Sequence, residues 1–213
     1  MAAYDLEEQE QLASLKQWWK ENGALLTTAL TIALLALAAW QGWSYYQRNQ
    51  AAQASALYDV VQKAARANDL KQVRESAGII LEQYPRTTYA AMAALVSAKA
   101  HFQAGDLKTA RAQLTWVGEN AKDEALQDIA RLRLASVMLD EKDYDGAFKA
   151  LDAKHGKAFD AQFAATKGDV LVAQGKKDDA RSAYKDALEK ADVKDAGLRA
   201  SIQLRLDALG TAK

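Results

Sequence analysis

Residues 23–43 read GALLTTALTIALLALAAWQGW, an uncharged run in a chain where 26% of residues are charged. Three structures compete for such a run: a cleaved signal, a buried core helix and a membrane anchor. About 20 apolar residues rising roughly 1.5 Å each cross the roughly 30 Å hydrocarbon core, where a helix satisfies its own backbone. A secretory signal starts with a short basic region and carries about 7–15 apolar residues. Here 22 residues come first, among them Asp5, Glu7, Glu8, Glu10 and Glu21, and a small-residue cleavage pattern at Ala36–Ala38 lies inside the run. A core helix would be shorter or carry a polar face. It would not need aromatic rings gathered at both ends, which is where a bilayer interface holds them. The expectation is one transmembrane helix, 23–43, with the interface residues Trp18, Trp19, Lys20, Trp40, Trp43, Tyr45, Tyr46 and Arg48. Lys16 and Lys20 precede it and Arg48 alone follows closely, so the positive-inside bias puts the N-terminus in the cytoplasm by one charge.

The remaining chain has no second long apolar run. It holds 26 of the 28 basic residues and 23 of the 28 acidic ones, with no Lys/Arg block, which argues against nucleic acid as a partner. Absence of cysteine excludes a disulfide framework, a thiolate metal site and a cysteine nucleophile. With half of its 213 residues apolar, the chain can build a core of ordinary size.

Four stretches align by eye: ANDLKQVRESA from Ala67, AGDLKTARAQL from Ala104, EKDYDGAFKAL from Glu141 and QGKKDDARSAY from Gln174. Their spacings of 37, 37 and 33 surround the roughly 34 residues of a tetratricopeptide (TPR) helix–turn–helix unit. Asn68, Gly105 and Gly175 suit a left-handed residue ending one helix; Lys142 departs from that rule and predicts a differently capped third turn. Asp69, Asp106, Asp143 and Asp178 suit the start of the next helix. Ala110, Ala147 and Ala180, with Val73 in the first and weakest unit, suit a close helix crossing. In 126–138, Leu126, Ile129, Ala130, Leu134, Val137 and Met138 share a helical face, with Asp128, Arg131 and Arg133 largely off it. Pro85 breaks the chain between two helical patterns. Leu198, Ile202, Leu206 and Leu209 form the stripe of a terminal helix. The predicted fold is all-α: a cytoplasmic tail 1–22, the span 23–43, a helical connector 44–66 continuing it, and a TPR-like helical-hairpin solenoid 67–213 with three to four hairpins and a capping helix.

With Ala98, Ala135 and Gly168 as the small residue of each first helix, the residues one, four and five positions on face a groove. Those are Lys99, Phe102 and Gln103, then Ser136, Leu139 and Asp140, then Asp169, Val172 and Ala173. Phe102, Leu139 and Val172 compete with the core for their places, and the candidate partner-binding residues are Lys99, Phe102, Gln103, Ser136, Asp140 and Asp169. Catalytic signatures are missing. His101 and His155 stand apart with no second ligand at helical spacing, and no Gly-rich phosphate loop is present. The carboxylates sit among Lys and Arg on amphipathic helices, as solvated faces do. The reading is an interaction protein without cofactor or metal, rather than an enzyme.

The acidic start YDLEEQEQLASLKQWWKENG, the single span, WQGWSYYQ behind it, and YAAMAALVSAKAHFQAGDLKTARAQL, RLRLASVML and GDVLVAQGKKDDARSAYKDAL together resemble the YfgM family of ancillary SecYEG translocon subunits. The likeness covers nearly the whole chain. It implies a bitopic protein of the bacterial inner membrane with its C-terminal domain in the periplasm. It further implies association with SecYEG and the periplasmic chaperone PpiD, handing of unfolded or emerging client proteins to chaperones, and no catalytic residues. Alternatives are an envelope stress signalling adaptor acting through residues 1–22, a scaffold for another envelope complex, and a membrane-tethered hydrolase.

Overall fold

The computed structural model describes the backbone of residues 2–210 and the side chains from Glu8 onward, apart from Gln9. Met1 and residues 211–213, at the outer ends of the expected tail and solenoid, and the carboxylates of Asp5 and Glu7 lie outside the described residues. Among the described residues the chain is helical throughout, without a strand: α1 (Ala2–Arg66), α2 (Leu70–Gln83), α3 (Thr88–Gln103), α4 (Leu107–Asn120), α5 (Glu124–Asp140), α6 (Tyr144–Leu151), a 3-10 turn (Lys157–Phe159), α7 (Asp160–Ala173), α8 (Lys177–Lys190) and α9 (Ala196–Ala208). Two units emerge, one ending at Asn49 and one beginning at Gln50. The first is the part of α1 up to Asn49, which holds the charged start of the helix and its long apolar run. In the second, the end of α1 pairs with α2, and α3/α4, α5/α6 and α7/α8 form three further hairpins closed by α9. Pro85 lies in the short turn between α2 and α3, where Thr87 Oγ1 donates to the Tyr84 carbonyl at 2.9 Å.

One turn recurs inside each hairpin. Asn68, Gly105, Lys142 and Gly175 take φ of 56°, 80°, 61° and 76°. The next residue's N–H reaches back five positions: Asp69 to Ala64, Asp106 to His101, Asp143 to Met138 and Lys176 to Leu171, at 2.8–2.9 Å. The left-handed residue donates three back, to Ala65, Phe102, Leu139 and Val172. This paired pattern satisfies carbonyls that the ending helix leaves free. The third turn is therefore not differently capped: Lys142 takes the glycine conformation, because the same two backbone bonds are made there. Asp69, Asp106 and Asp143 each accept the N–H three residues on, from Gln72, Thr109 and Gly146 at 3.0–3.1 Å. Asp178 does not cap α8. Lys176 occupies that place without a side-chain bond, and Asp178, the second residue of α8, pairs with Arg181 at 2.8 Å. Spacing from the turn glycine decides this, for the cap must follow the left-handed residue directly.

Packing in the second unit rests on small residues. Val73, Ala110, Ala147 and Ala180 are each 0% exposed. Ala54, Tyr58 and Val61 of α1 meet Val73, Ala77 and Ile80 of α2 and Ala90 and Ala93 of α3. The middle core joins Leu95, Leu114, Leu134, Leu151 and Phe163 from α3 to α7, and Ile202 of α9 closes the last against Ala164, Tyr184 and Ala187. Leu198, Leu206 and Leu209 pack beside Ile202, as the stripe predicts. Gly168 is small for a reason: a Cβ there would sit 2.5 Å from Cε1 of Tyr184.

Successive hairpins are also tied by arginine. Arg74 reaches Asp106 at 3.3 Å, Arg111 reaches Glu141 at 2.7 Å and Asp143 at 2.9 Å, and Arg181 donates to the Gly210 carbonyl at 2.9 Å. Each sits five residues past its turn's capping position; Phe148 takes that place in the third hairpin. There a strap from α6 to α7 does the tying. Asp128, expected off the buried face, is 2% exposed, because the strap covers it: its carboxylate accepts the Gly156 N–H at 2.9 Å and pairs with Arg131 at 3.1 Å. Arg131 also donates to the carbonyls of Lys154 and Gly118 and to Gln127.

Candidate functional site: an apolar helix and an open cleft

Two surfaces are unusual for a folded chain. The first is the apolar stretch of α1, where Leu25, Leu30, Ile32, Leu34, Leu35 and Leu37 are between 57% and 72% exposed on every side of the helix. It is the one helix among the described residues long and apolar enough to cross a membrane, and 6% of that window is buried. A core helix would be covered; this one is bare all round. Its three threonines are satisfied internally. Thr27, Thr28 and Thr31 donate their hydroxyls to the carbonyls of Gly23, Ala24 and Thr27 at 2.7–2.9 Å, so lipid would meet no open hydroxyl donor there.

The expected interface residues sit at the ends of this stretch. Trp18, Trp19, Trp40, Trp43, Tyr45 and Tyr46 are all about half exposed or more, and Lys20 and Arg48 are exposed beside them. Trp18 and Trp40 are 22 residues apart, which is about 33 Å of helix and close to the roughly 30 Å hydrocarbon thickness. Trp19 folds along the helix onto Gly23, which has no Cβ to displace it. Trp43 and Tyr46 lie with ring centroids 6.0 Å apart.

The second surface is a cleft of about 290 Å³ between α3 and α5. It contains three of the six expected groove residues, Lys99, Phe102 and Ser136. Ala98, Leu114 and Val137, all at most 3% exposed, form its floor. Phe102 is 38% exposed although it belongs to a well-packed helix. Arg133 lines the same cleft. Its helical period puts it largely off the core face and gives it no role, although it stands one turn before Ser136. Gln103 and Asp140 are exposed end residues of α3 and α5 and do not line the cleft.

Asp169 is engaged elsewhere. Tyr184 Oη and Arg205 Nη1 each donate to its carboxylate at 2.8 Å, joining α7, α8 and α9. Burial pushes its pKa up, against the opposing pull of the Tyr184 hydrogen bond and the Arg205 charge. Among the other apolar groove residues, Leu139 packs against the middle core, and Val172 is 39% exposed. The histidines have structural surroundings. His101 is buried, with Nδ1 3.0 Å from Asp106, and His155 stacks on Phe163 at 3.8 Å. Among the described residues no group of three His, Cys, Asp or Glu is placed to hold a metal ion.

The family model of the tetratricopeptide repeat-like domain matches residues 16–211. Curated relatives are similar over almost all of their own length. A protein of Neisseria gonorrhoeae is 36% identical over 98% of this chain and 100% of its own. One of Haemophilus influenzae is 33% identical over 87% and 90%, and one of Escherichia coli 31% identical over 95% and 96%. Each of the three is named an ancillary SecYEG translocon subunit.

Proposed function

The chain belongs to the tetratricopeptide repeat-like family of ancillary SecYEG translocon subunits, and from that membership we propose that it is a membrane-anchored, non-enzymatic binding protein of the bacterial translocon. The observation that carries the reading is the bare apolar stretch of α1 with aromatic residues at both ends. Held beside the protein-conducting channel, such a helix confines the helical-repeat unit to a small volume at the exit. That raises the effective concentration of whatever the unit binds, with no new contact needed. The charge bias of Lys16 and Lys20 over Arg48 supports a cytoplasmic tail and a periplasmic repeat unit. The cleft between α3 and α5 supports a polypeptide partner, and emerging chains, or a chaperone such as PpiD that receives them, are the partners we infer.

Photo-crosslinking of the full chain in intact inner membranes tests this. Leu34, Leu35 and Ala36 look out in three directions about 100° apart, so a photoreactive residue placed at each in turn samples the whole circumference. At least one should link to a translocon subunit, and the same residue at Ser136 should link to an arrested exported chain or to a chaperone. Absence of any translocon link from all three span positions overturns the proposal.

A further inference from the structure

We propose that the cleft between α3 and α5 selects segments of a partner polypeptide in which an apolar side chain stands next to carboxylates. The inference rests on the polypeptide-binding reading above and adds the partner's chemistry. Two observations carry it. Phe102 holds 38% of its surface open above the buried Leu114 and Val137, a place where an inserted apolar side chain would leave water. On either side stand Lys99 from α3 and Arg133 from α5, both exposed, and no carboxylate lines the cleft.

Arg74, Arg111, Arg131, Arg181, Arg199 and Arg205 each hold a carboxylate or a carbonyl of this chain, and Arg66 and Arg86, which hold neither, lie outside the cleft. Neither Arg133 nor Lys99 holds such a group, although both flank an apolar recess. Two uncompensated cations beside apolar surface favour an acidic–apolar ligand and disfavour a basic one, since like charges in a part-enclosed site repel. Ser136 donates its hydroxyl to the Leu132 carbonyl at 3.2 Å, leaving the oxygen free to accept a peptide N–H. A fatty acid has the same two chemistries, yet about 290 Å³ lies at the small end of ligand pockets, roughly 300–1,000 Å³. The size suits one or two side chains better than a long acyl chain.

The test uses the full-length protein in lipid nanodiscs and three fluorescently labelled peptides, with a phenylalanine flanked by glutamates, by glutamines or by lysines. Fluorescence anisotropy at low salt should rank glutamate first, with a gap to lysine of about tenfold or more, shrinking as salt rises. The pair K99E and R133E should invert the ranking, and F102A should weaken all three peptides alike. Circular dichroism and melting check the fold of the pair; should it be lost, K99Q with R133Q should level the ranking instead. Equal binding of the three peptides, an unchanged ranking in the charge variants, or binding of decanoate but of no peptide overturns the proposal. Peptides bound without acid preference, with crosslinks from Ser136 intact, defeat this inference and leave translocon tethering standing. Acid preference with no translocon link from the span positions does the reverse.

Discussion

Lys142 shows how a residue can obey a repeat while breaking its rule. At φ 61° its Cβ crowds the backbone, a cost of about 1–2 kcal/mol that glycine avoids. Lys142→Gly should therefore stabilise the domain by about 1 kcal/mol after glycine's greater freedom when unfolded is counted, raising the melting midpoint by about 2–4 °C. A lowered midpoint would show that the conformation carries no strain. Carboxylates divide by the sign of their pKa shift. The Gly146 N–H, helped by the Arg111 guanidinium, holds Asp143 below its ordinary 3.8, and the hydroxyl and N–H of Thr109 do the same for Asp106. Their contribution is fully present above pH 3.8 and fades as acid protonates them in the fold. Asp169 has the opposite sign: burial raises its folded value, so its contribution is present below pH 3.8 and lost as pH rises through the raised value. At neutral pH, Asp143→Asn should lower the melting temperature and Asp169→Asn should not. Melting curves from pH 3 to pH 7 check both, and a drop of equal size in the two variants would show that burial does not dominate at Asp169.

At the scale of elements, most of the fold is written in recurring small residues. Ala110, Ala147, Ala180 and the left-handed Asn68, Gly105 and Gly175 were readable because their role is local: a helix must end there, or another must cross closely. Gly168 belongs to the same set, and its substitution is a direct test of the α7/α8 crossing. A methyl group 2.5 Å from the Tyr184 ring forces the ring or the helix to move, and overpacking of this kind costs about 1–3 kcal/mol. Gly168→Ala should lower the melting midpoint by several degrees, and an unchanged midpoint would mean that the crossing is loose. What was not readable depends on contacts far apart in sequence. Asp128 looks like a surface residue by helical period, and only the strap that returns at Gly156, 28 residues later, buries it. Arg133 and Arg131 look alike in sequence, yet one holds four groups and the other none, because the strap and the end of α4 come to one of them alone. Helical period puts Lys99, Phe102 and Ser136 where they line the cleft between α3 and α5, but it cannot foresee that Arg205, 36 residues on, engages Asp169.

For the whole molecule, the proposed function turns on which side of the membrane each end occupies, because a binding unit on the wrong side would meet no exported chain. The basis is one charge: Lys16 and Lys20 before the span against Arg48 after it, with acidic residues counting for little in the bias. A chain with no cysteine is well suited to the measurement. Ser14 and Lys194 are both exposed, the first ahead of the span and the second in the turn between α8 and α9, so a single cysteine at either should be tolerated. In intact spheroplasts a membrane-impermeant maleimide should label Lys194→Cys at once and Ser14→Cys only after permeabilisation. Adding Lys16→Gln and Lys20→Gln removes the basic excess, and a fraction of molecules should then show Ser14→Cys labelled from outside, since the remaining bias favours the other orientation. Labelling of Ser14→Cys in the unaltered background would reverse the proposed topology. A purified chain beginning near Ala39 would instead make the apolar helix a cleaved signal and leave the repeat unit without its tether.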